Sequence, residues 1–260
     1  MLFVSGLVNY TTMIASERIR ENLKYTITVA VTFIILQAVV VVMHEFTHST
    51  LAWILGYMKS PLDIVWGNPL MLTGWDEGVH YSKLFTYRNC SAEAIIGGSP
   101  LILHTVIVTL GLVLMQGGKM VQRRWLFHVI FWFVIANFME LIAYIVMRAF
   151  ASGGDVGHFN RGLGISPWIL FIAGSSAIVV GLYVLFEKIL PRMYAVFARG
   201  NRLLEGMIIF ITAFLLFVWG SGLRIVLYVY PDPQWMFGLV GFAAFGLVLV
   251  IYSPARQYSD

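Results

Sequence analysis

Residues 25–57 read YTITVAVTFIILQAVVVVMHEFTHSTLAWILGY, and this stretch decides the fold. It contains a single formally charged side chain, Glu45. A membrane-spanning helix needs about 20 mostly apolar residues, so the stretch is long enough to cross a bilayer. The polar residues His44, Glu45 and His48 lie in its second half, directly after four valines and a methionine. The sequence therefore predicts an all-α transmembrane protein with a polar cluster inside one of its helices.

The composition of the whole chain agrees with a membrane protein. Hydrophobic residues make up 59% of the 260 residues, and charged residues make up only 12%. Soluble domains are about 25% charged, so these charges are too few to cover a soluble surface. The single cysteine, Cys90, excludes an internal disulfide and a multi-cysteine metal site. The basic residues cluster beside hydrophobic segments, which favours contact with the lipid bilayer and predicts no binding to nucleic acid.

Hydropathy predicts a polytopic bundle of about six transmembrane helices in a single membrane domain, residues 1–260. The predicted spans are residues 25–57, 92–116, 125–150, 167–186, 203–228 and 235–252. Two linkers of mixed polarity, residues 58–91 and 151–166, stand out between them. Irregular backbone near a membrane needs protein or a water-filled cavity to satisfy it, so these linkers are expected to border a functional cavity. The first linker is predicted to be irregular or to form a short β-hairpin at the membrane rim.

The distribution of Lys and Arg predicts the orientation of the chain. With six spans, eleven of these residues lie on the side of the N-terminus and six lie on the other side. Because cytoplasmic loops carry the excess of positive residues, both termini are expected in the cytoplasm of a multi-pass cell-membrane protein. Residues 1–16 are apolar but lack a basic start and a cleavage site. They are interpreted as a short interfacial helix or a partial span, and not as a signal peptide.

The segment His44-Glu45-Phe46-Thr47-His48 carries the pattern His-Glu-x-x-His. Positions i and i+4 lie on one face of a helix, so the two imidazoles can point at one metal ion. Glu45 can lie beside the ion and take a proton from a water that the ion activates. This pattern is typical of zinc-dependent hydrolases. Ionisable residues inside a membrane are costly and usually functional, which favours the same interpretation.

Catalytic zinc usually takes three protein ligands and a water, so a third ligand is needed. The first candidate is Asp155, because its flanking glycines let the backbone approach the metal closely. Glu140 in the third span is the alternative, and it shares a helical face with Asn137. His158 can bind the metal or orient Asp155 from a second layer of contacts. The predicted metal ligands are His44, His48 and Asp155, with His158, Glu140 and Asn137 as supporting residues or alternative ligands.

Together these residues resemble the site-2 protease family of intramembrane zinc metalloproteases. Asp155-Val156-Gly157, far downstream of the His-Glu-x-x-His pattern, is similar to the Asp-Gly unit that supplies that family's third ligand. Residues 97–100, Gly-Gly-Ser-Pro, are similar to the family's Gly-Pro segment with a serine inserted, and Asn137 is similar to a family asparagine. The resemblance covers roughly residues 37–159. It implies a metalloprotease-like core at about residues 25–165, with additional C-terminal helices at about 166–252.

The resemblance implies a zinc-dependent membrane endopeptidase with Zn²⁺ as its cofactor. Such an enzyme hydrolyses peptide bonds of membrane protein substrates, with a zinc-activated water and Glu45 as general base. Because hydrolysis needs water, linker 58–91 is expected to line a polar route to the metal. The edge of a hairpin there can pair with an unwound substrate, although an interfacial loop with aromatic anchors is the alternative. The linker contains Asp63, Asn68, Asp76, Glu77 and His80, interleaved with Trp66 and Trp75.

Three other functions stay open at this point. A non-catalytic membrane subunit or scaffold can keep the same metal site, although the intact Glu45 argues against it. A membrane di-iron oxygenase also uses His-x-x-x-His boxes, but it needs more histidines than the six present here, including adjacent pairs that are absent. A metal transporter needs ligands without a general base. Metal analysis of the purified protein distinguishes most of these functions.

Overall fold

The structure is a computed structural model that describes residues 2–68, 74–79, 90–223 and 235–254. Within these ranges the chain is helical, with no β-strand. Five helical segments are long and apolar enough to cross a membrane, and Trp235–Ile251 is a shorter apolar helix. The five segments are Ser16–Ile54, Ser91–Gln116, Arg124–Met147, Pro167–Ala198 and Arg202–Ser221.

The helices are numbered here in chain order. Helix α1 spans Leu2–Ile54, α2 spans Cys90–Gln116, α3 spans Gly118–Gln122 and α4 spans Arg124–Leu141. Helix α5 spans Gly154–Leu163, α6 spans Pro167–Val184, α7 spans Leu190–Met193, α8 spans Arg202–Ala213 and α9 spans Trp235–Ile251. Segments of π-helix follow α4, α6, α7 and α8, at Ile142–Met147, Leu185–Ile189, Tyr194–Ala198 and Phe214–Leu223. Residues 2–16 belong to α1 and form no separate helix.

Helix α4 lies at the centre of the bundle. In the segment Arg124–Met147, 72% of the most apolar stretch is buried, against 17% in Pro167–Ala198. The large side chains of Phe131, Trp132 and Phe138 are almost completely buried on α4. This helix contacts α1, α2 and the π-helical segment after α8. Packing around α4 therefore holds the motif-bearing part of α1 in place.

The outward faces of the peripheral spans are apolar. Ile102 and Val113 on α2 and Val179 and Val180 on α6 are 61–64% exposed. Soluble monomers rarely expose contiguous apolar surface of this extent, so lipid is the environment that fits these faces. The predicted transmembrane helix bundle is confirmed at this level. Six as the number of spans stays a prediction, because α9 is shorter than the other five.

The two linkers differ from each other. Residues 151–166 were expected to be an irregular glycine-rich segment, and that expectation is wrong for most of them because they form α5. Gly154, at φ +68°, turns the chain into this helix, which then packs closely on α2. In the described part of linker 58–91, Val65 and Asp76 form an isolated antiparallel bridge with backbone hydrogen bonds of 2.8 and 3.2 Å. His80 lies outside the described residues.

Candidate metal centre

Three side chains meet at the end of the motif-bearing part of α1. His44 Nε2 lies 2.8 Å from Asp155 Oδ2 and 3.2 Å from His48 Nε2. His48 Nε2 lies 3.4 Å from Asp155 Oδ2. The side chains of His44 and His48 are 5% and 1% exposed, whereas that of Asp155 keeps 15% exposure. The site is thus buried in protein on the histidine side and partly exposed on the side of the carboxylate.

This group can hold a metal ion. An ion bound tetrahedrally at about 2.0–2.1 Å keeps its ligand atoms about 3.3–3.4 Å apart. The three observed separations, 2.8, 3.2 and 3.4 Å, are close to that spacing. Two imidazole nitrogens and one carboxylate oxygen also form a donor set that catalytic metal sites use. The residues present therefore fit a four-coordinate ion with one position left for another ligand.

Hydrogen bonds fix which ring nitrogen each histidine presents to the site. His48 Nδ1 donates to the backbone carbonyl of Ile96 at 2.7 Å. A carbonyl can only accept, so the proton of His48 is on Nδ1 and the Nε2 lone pair is available for a metal. Ile96 belongs to α2, which means that the packing of α2 on α1 sets the tautomer of this ligand.

His44 is fixed by a longer chain of side chains that leads into α4. The amide of Asn137 donates through Nδ2 to the carbonyl of Phe133 at 2.7 Å, which leaves Oδ1 as an acceptor. His104 Nδ1 donates to that oxygen at 2.8 Å, so His104 Nε2 accepts from His44 Nδ1 at 3.0 Å. The chain therefore runs in one direction, so that His44 donates through Nδ1 and turns Nε2 toward Asp155 Oδ2, 2.8 Å away, where a metal ion would replace the proton that this nitrogen shares with the carboxylate. Tyr144 in the π-helical segment after α4 stacks on the same ring, with ring centroids 5.1 Å apart.

Two glycines on α2 let α5 bring Asp155 to the histidines. A Cβ atom at Gly97 would lie 2.8 Å from both the carbonyl oxygen of Asp155 and Cβ of His158. At Gly98 it would lie 2.3 Å from the ring of Phe159. Only a residue without a side chain fits at such a close approach of two helices. The Gly-Gly-Ser-Pro segment thus sets the position of the carboxylate.

An ion-pair cluster fixes α5 from its other side. The Glu93 carboxylate at the start of α2 accepts from Arg161 Nε at 2.8 Å and lies 3.0 Å from His158 Nδ1. His158 and Arg161 are both on α5, so this contact ties one turn of α5 to α2. The side chain of Glu93 is only 4% exposed, whereas that of Arg161 is 48% exposed, so the carboxylate is buried and the guanidinium reaches solvent. His158 is therefore placed to hold α5, and it lies outside the group of three metal-binding atoms.

The charge of Asp155 suits a metal ligand. Its burial raises the pKa of the carboxyl group, but the charges of His48 and His44 and their hydrogen bonds outweigh burial and hold the pKa well below its usual range. The group is therefore a carboxylate at neutral pH. Once the two imidazoles lose their Nε2 protons, they and the anionic oxygen together favour a divalent cation.

Glu45 and Glu77 lie beside this group without belonging to it. Glu45 is 8% exposed, and among the described residues no hydrogen bond or ion pair engages its carboxylate. Glu77, next to the Val65–Asp76 bridge, is 7% exposed and interacts electrostatically with Glu45 and His48. The described part of the linker therefore brings a second carboxylate to the site. Glu45 remains available to exchange a proton with a bound water.

The other predicted site residues are placed as follows. Glu140 is 2% exposed and accepts from Gln37 Nε2 at 2.7 Å, and it is not one of the metal-binding group. Asn137 supports His104, as described above. Sequence reasoning missed His104, which is fully buried in α2. The rule that an ionisable residue inside an apolar span is functional by default applies to His104 as well, and it was the signal that could have found it.

Comparisons of the chain with family models, with curated proteins and with solved structures find no match. The chemistry of the site is therefore argued from its own geometry. That geometry offers three ligand atoms, a buried carboxylate beside them and a partly exposed side next to Asp155. Such an arrangement can bind a divalent cation and move a proton near it.

Proposed function

We propose that the chain is an intramembrane zinc metalloprotease that hydrolyses peptide bonds of membrane-embedded substrates. The observation that carries the proposal is the triangle of His44 Nε2, His48 Nε2 and Asp155 Oδ2. Glu45 follows the first of these ligands directly in the helix. The pattern is similar to that of the site-2 protease family, and the meeting of Asp155 with the two histidines supports this resemblance.

Each residue has a defined role in the proposed reaction. His44, His48 and Asp155 hold the ion, and the hydrogen bonds to His104 and Ile96 keep both imidazoles oriented. A zinc ion there supplies Lewis acidity that polarises the scissile carbonyl and lowers the pKa of water. Glu45 takes the proton of the attacking water and transfers it to the leaving amine. Two histidines and one carboxylate can bind zinc or iron, and zinc is proposed because Glu45 completes the His-Glu-x-x-His pattern of zinc hydrolases, whereas a di-iron site needs more histidines than the six in the chain.

The linker that begins after α1 is proposed to admit water and substrate. Phe46 and Trp66 lie with ring centroids 6.3 Å apart, and Ser49 Oγ donates to the carbonyl of Pro61 at 2.8 Å. These contacts hold the linker against the motif-bearing turns. Glu77 gives this side of the site a polar wall, and the bridge at Val65 provides an extended segment. An unwound substrate segment can pair with such an extended edge.

The experiment compares wild-type protein with Glu45→Gln in detergent or nanodiscs. The wild type should contain about one zinc per chain and cleave a set of transmembrane peptides. Glu45→Gln should keep its zinc and lose about 10²–10⁴-fold in rate, because an amide cannot accept the proton. Zinc is counted by mass spectrometry of the metal, and cleavage is followed by mass spectrometry of the peptides.

Other outcomes of the same experiment point to other functions. Full cleavage by Glu45→Gln would exclude Glu45 as the general base. A zinc-loaded wild type that cleaves no peptide would favour a non-catalytic subunit, and an iron-loaded protein would favour an oxygenase. The metal content tests the metal-binding site, and the peptide cleavage tests hydrolysis, so the two results are independent.

We also propose that both termini face the cytoplasm of a cell membrane, with the metal centre near the opposite face. The excess of Lys and Arg on the N-terminal side supports this orientation. Single cysteines at Lys119 and Lys188 should be protected from a membrane-impermeant maleimide in intact cells and labelled after permeabilisation. Labelling of both positions in intact cells would show the inverse orientation.

A further inference from the structure

A second polar region lies at the opposite end of the bundle from the metal centre. Lys24 and His44 are twenty residues apart on α1, which is about 30 Å of helix. The hydrocarbon core of a bilayer has about the same thickness, so the two regions lie at opposite membrane faces. Here a cavity of about 470 Å³ opens between α1, the start of α4 and the connection into α8. Its side chains include four cations and one acid, namely Arg18, Lys24, Arg124, Arg199 and Glu21.

The four cations have no anionic partner in the described part of the chain. Every salt bridge found among the described residues lies at the metal end, and none includes Arg18, Lys24, Arg124 or Arg199. The guanidinium carbon of Arg124 lies 5.5 Å from the ring centroid of Trp125 and 4.6 Å from that of Phe197. These rings orient Arg124 but do not neutralise it. The cavity therefore carries an excess of positive charge.

Two buried hydrogen-bond donors at this place also lack an acceptor. Arg124 Nε is buried and has no hydrogen-bond partner in the described structure. Asn22, 2% exposed, lines an adjoining cavity of about 490 Å³ that shares Arg18, Gly200 and Asn201 with the first. Its Nδ2 has no partner either. Buried donors are costly when they are unpaired, so a ligand that brings acceptors is favoured here.

The hydrogen bond from Asn201 shows which atom of the Asn22 amide is the oxygen and which is the nitrogen. Asn201 Oδ1 accepts from the backbone N–H of Leu204 at 3.3 Å, which makes Asn201 Nδ2 a donor. That nitrogen donates to Asn22 Oδ1 at 2.8 Å. The remaining atom of the Asn22 amide is therefore the NH₂ group, a donor. These two unpaired donors thus need an acceptor, whereas Tyr194 OH and Glu205 Oε2, on the helices that flank the same turn, are also buried without a hydrogen-bond partner in the described structure.

The backbone holds Arg199 at the rim of the cavity in an uncommon conformation. Arg199 has φ +50°, and the following Gly200 has φ +83°. Left-handed backbone is rare for a residue with a side chain, and such strain is found where a surrounding structure fixes a functional side chain. Hydrogen bonds from Arg199 N to Tyr194 O, 3.0 Å, and from Asn201 N to Ala198 O, 2.9 Å, fix this turn. The turn is thereby held beside the cavity.

We propose that this cavity binds the phosphate group of an anionic phospholipid in the leaflet opposite the metal centre. A phosphate group has only acceptor oxygens and a negative charge, which matches the unpaired donors and the excess of cations. The cavity lies at the level of the headgroups, where Trp125, 57% exposed, serves as an aromatic anchor. Basic pockets between transmembrane helices bind such headgroups.

The lipid, in contrast to free phosphate, also has a surface for its chains. Leu23, Ile27 and Val31 follow each other at every fourth position of α1 and are 57%, 54% and 53% exposed. These side chains form one apolar stripe that begins beside Lys24 and runs toward the middle of the membrane. The acyl chains of a lipid can lie along this stripe while its phosphate occupies the cavity.

The experiment measures lipid binding to the full-length protein in a neutral detergent. Phosphatidylglycerol and phosphatidylcholine with identical acyl chains are titrated, and binding is read by native mass spectrometry and by the shift in melting temperature. Inorganic phosphate and glycerol 3-phosphate are titrated in parallel. We expect phosphatidylglycerol to bind and raise the melting temperature at concentrations at which the other three do not. Equal binding of the two lipids, or equal binding of inorganic phosphate, would overturn the proposal.

The chain offers variants matched in charge and position. Arg18→Gln/Arg124→Gln removes two cations of the cavity, whereas Arg20→Gln/Arg123→Gln removes two neighbours that do not line it. The first pair should bind phosphatidylglycerol about 30-fold more weakly, and the second should bind it as the wild type does. If both double variants lose the same affinity for phosphatidylglycerol, then the lipid is attracted by net charge alone, and the proposed site is overturned.

Two single substitutions test the same site if a double variant does not fold. Lys24→Gln should bind phosphatidylglycerol about fivefold more weakly and Lys119→Gln should not change it, because only Lys24 lines the cavity. Unchanged binding in Lys24→Gln would count against the site. Zinc content should be the same in all these variants, since the metal centre is about 30 Å away. Lipid binding tests this proposal, whereas zinc content and peptide cleavage test the proposed protease activity, so the two proposals can fail independently.

Discussion

The two ends of the bundle carry buried polar groups of opposite character. At the metal end, His44 and His48 each donate through Nδ1 and point Nε2 at one place, so their hydrogen bonds are complete. At the other end, Arg124 and Asn22 keep buried donors without an acceptor. A complete network holds atoms in one arrangement, which a metal ion requires, whereas unpaired donors suit a ligand that brings its own acceptors. Buried polar groups at the two ends of one membrane bundle can thus serve two different kinds of binding.

The charges of the two ends differ in the same way. Carboxylates are concentrated around the metal centre, where Glu45 interacts electrostatically with Asp155 and Glu77. Cations without a salt-bridge partner among the described residues surround the cavity at the other end. A divalent cation and an anionic headgroup are therefore expected at opposite faces of the membrane. Variants at the metal end test whether the complete hydrogen-bond network there holds a metal ion.

The largest effect is expected from removing a metal ligand. His48→Ala and Asp155→Asn should each lose stoichiometric metal, because two remaining protein ligands do not hold the ion tightly. Glu140→Gln is the matched control, because Glu140 is also buried but accepts a hydrogen bond from Gln37 and lies outside the metal-binding group. Metal is counted after dialysis against a weak chelator. Full metal content in His48→Ala, or loss in Glu140→Gln with retention in Asp155→Asn, would reverse the ligand assignment.

A smaller effect is expected from breaking the chain of hydrogen bonds behind His44. His104→Leu removes the acceptor for His44 Nδ1 and should weaken metal affinity about 10–100-fold, the usual effect of losing such a supporting contact. His104→Gln can still accept from His44 and should recover part of the affinity. Affinity is measured by competition with a metal indicator, and the visible spectrum of the Co²⁺-loaded protein reports ligand geometry. Equal affinity in His104→Leu and the wild type would show that His104 does not position His44.

Local sequence patterns predicted the parts of the site that one helix determines. His44 and His48 are four residues apart, so any helix brings them together, and Asp155 was identified from its glycine neighbours. The chain from His44 through His104 to Asn137 joins three helices, and no local pattern encodes such contacts. Helix α5 was mistaken for an irregular segment because glycine usually opposes helix formation, whereas here Gly154 turns the chain into the helix and Gly157 lies against the backbone of residues 151–152.

The position of Asp155 can be tested with a single methyl group. Gly97→Ala places a Cβ atom 2.8 Å from the carbonyl oxygen of Asp155, and this backbone atom can move only if α5 moves. Overpacking of this kind costs about 1–3 kcal/mol and should weaken metal affinity about tenfold by displacing the carboxylate. Gly206→Ala in α8 is the matched control, because nothing lies within 4 Å of its Cβ position.

Both substitutions replace glycine by alanine inside a helix and gain about 1 kcal/mol of helix propensity. The difference between the two variants in stability and metal affinity therefore reports the contact between α2 and α5 alone. Melting temperature and metal affinity are measured for each variant, and Gly206→Ala should match or exceed the wild type in both. If Gly97→Ala also matches the wild type, then α5 has room to adjust, and the close approach of the two helices does not determine where Asp155 lies. A loss of metal affinity at an unchanged melting temperature would instead show that this approach serves the metal centre more than the fold.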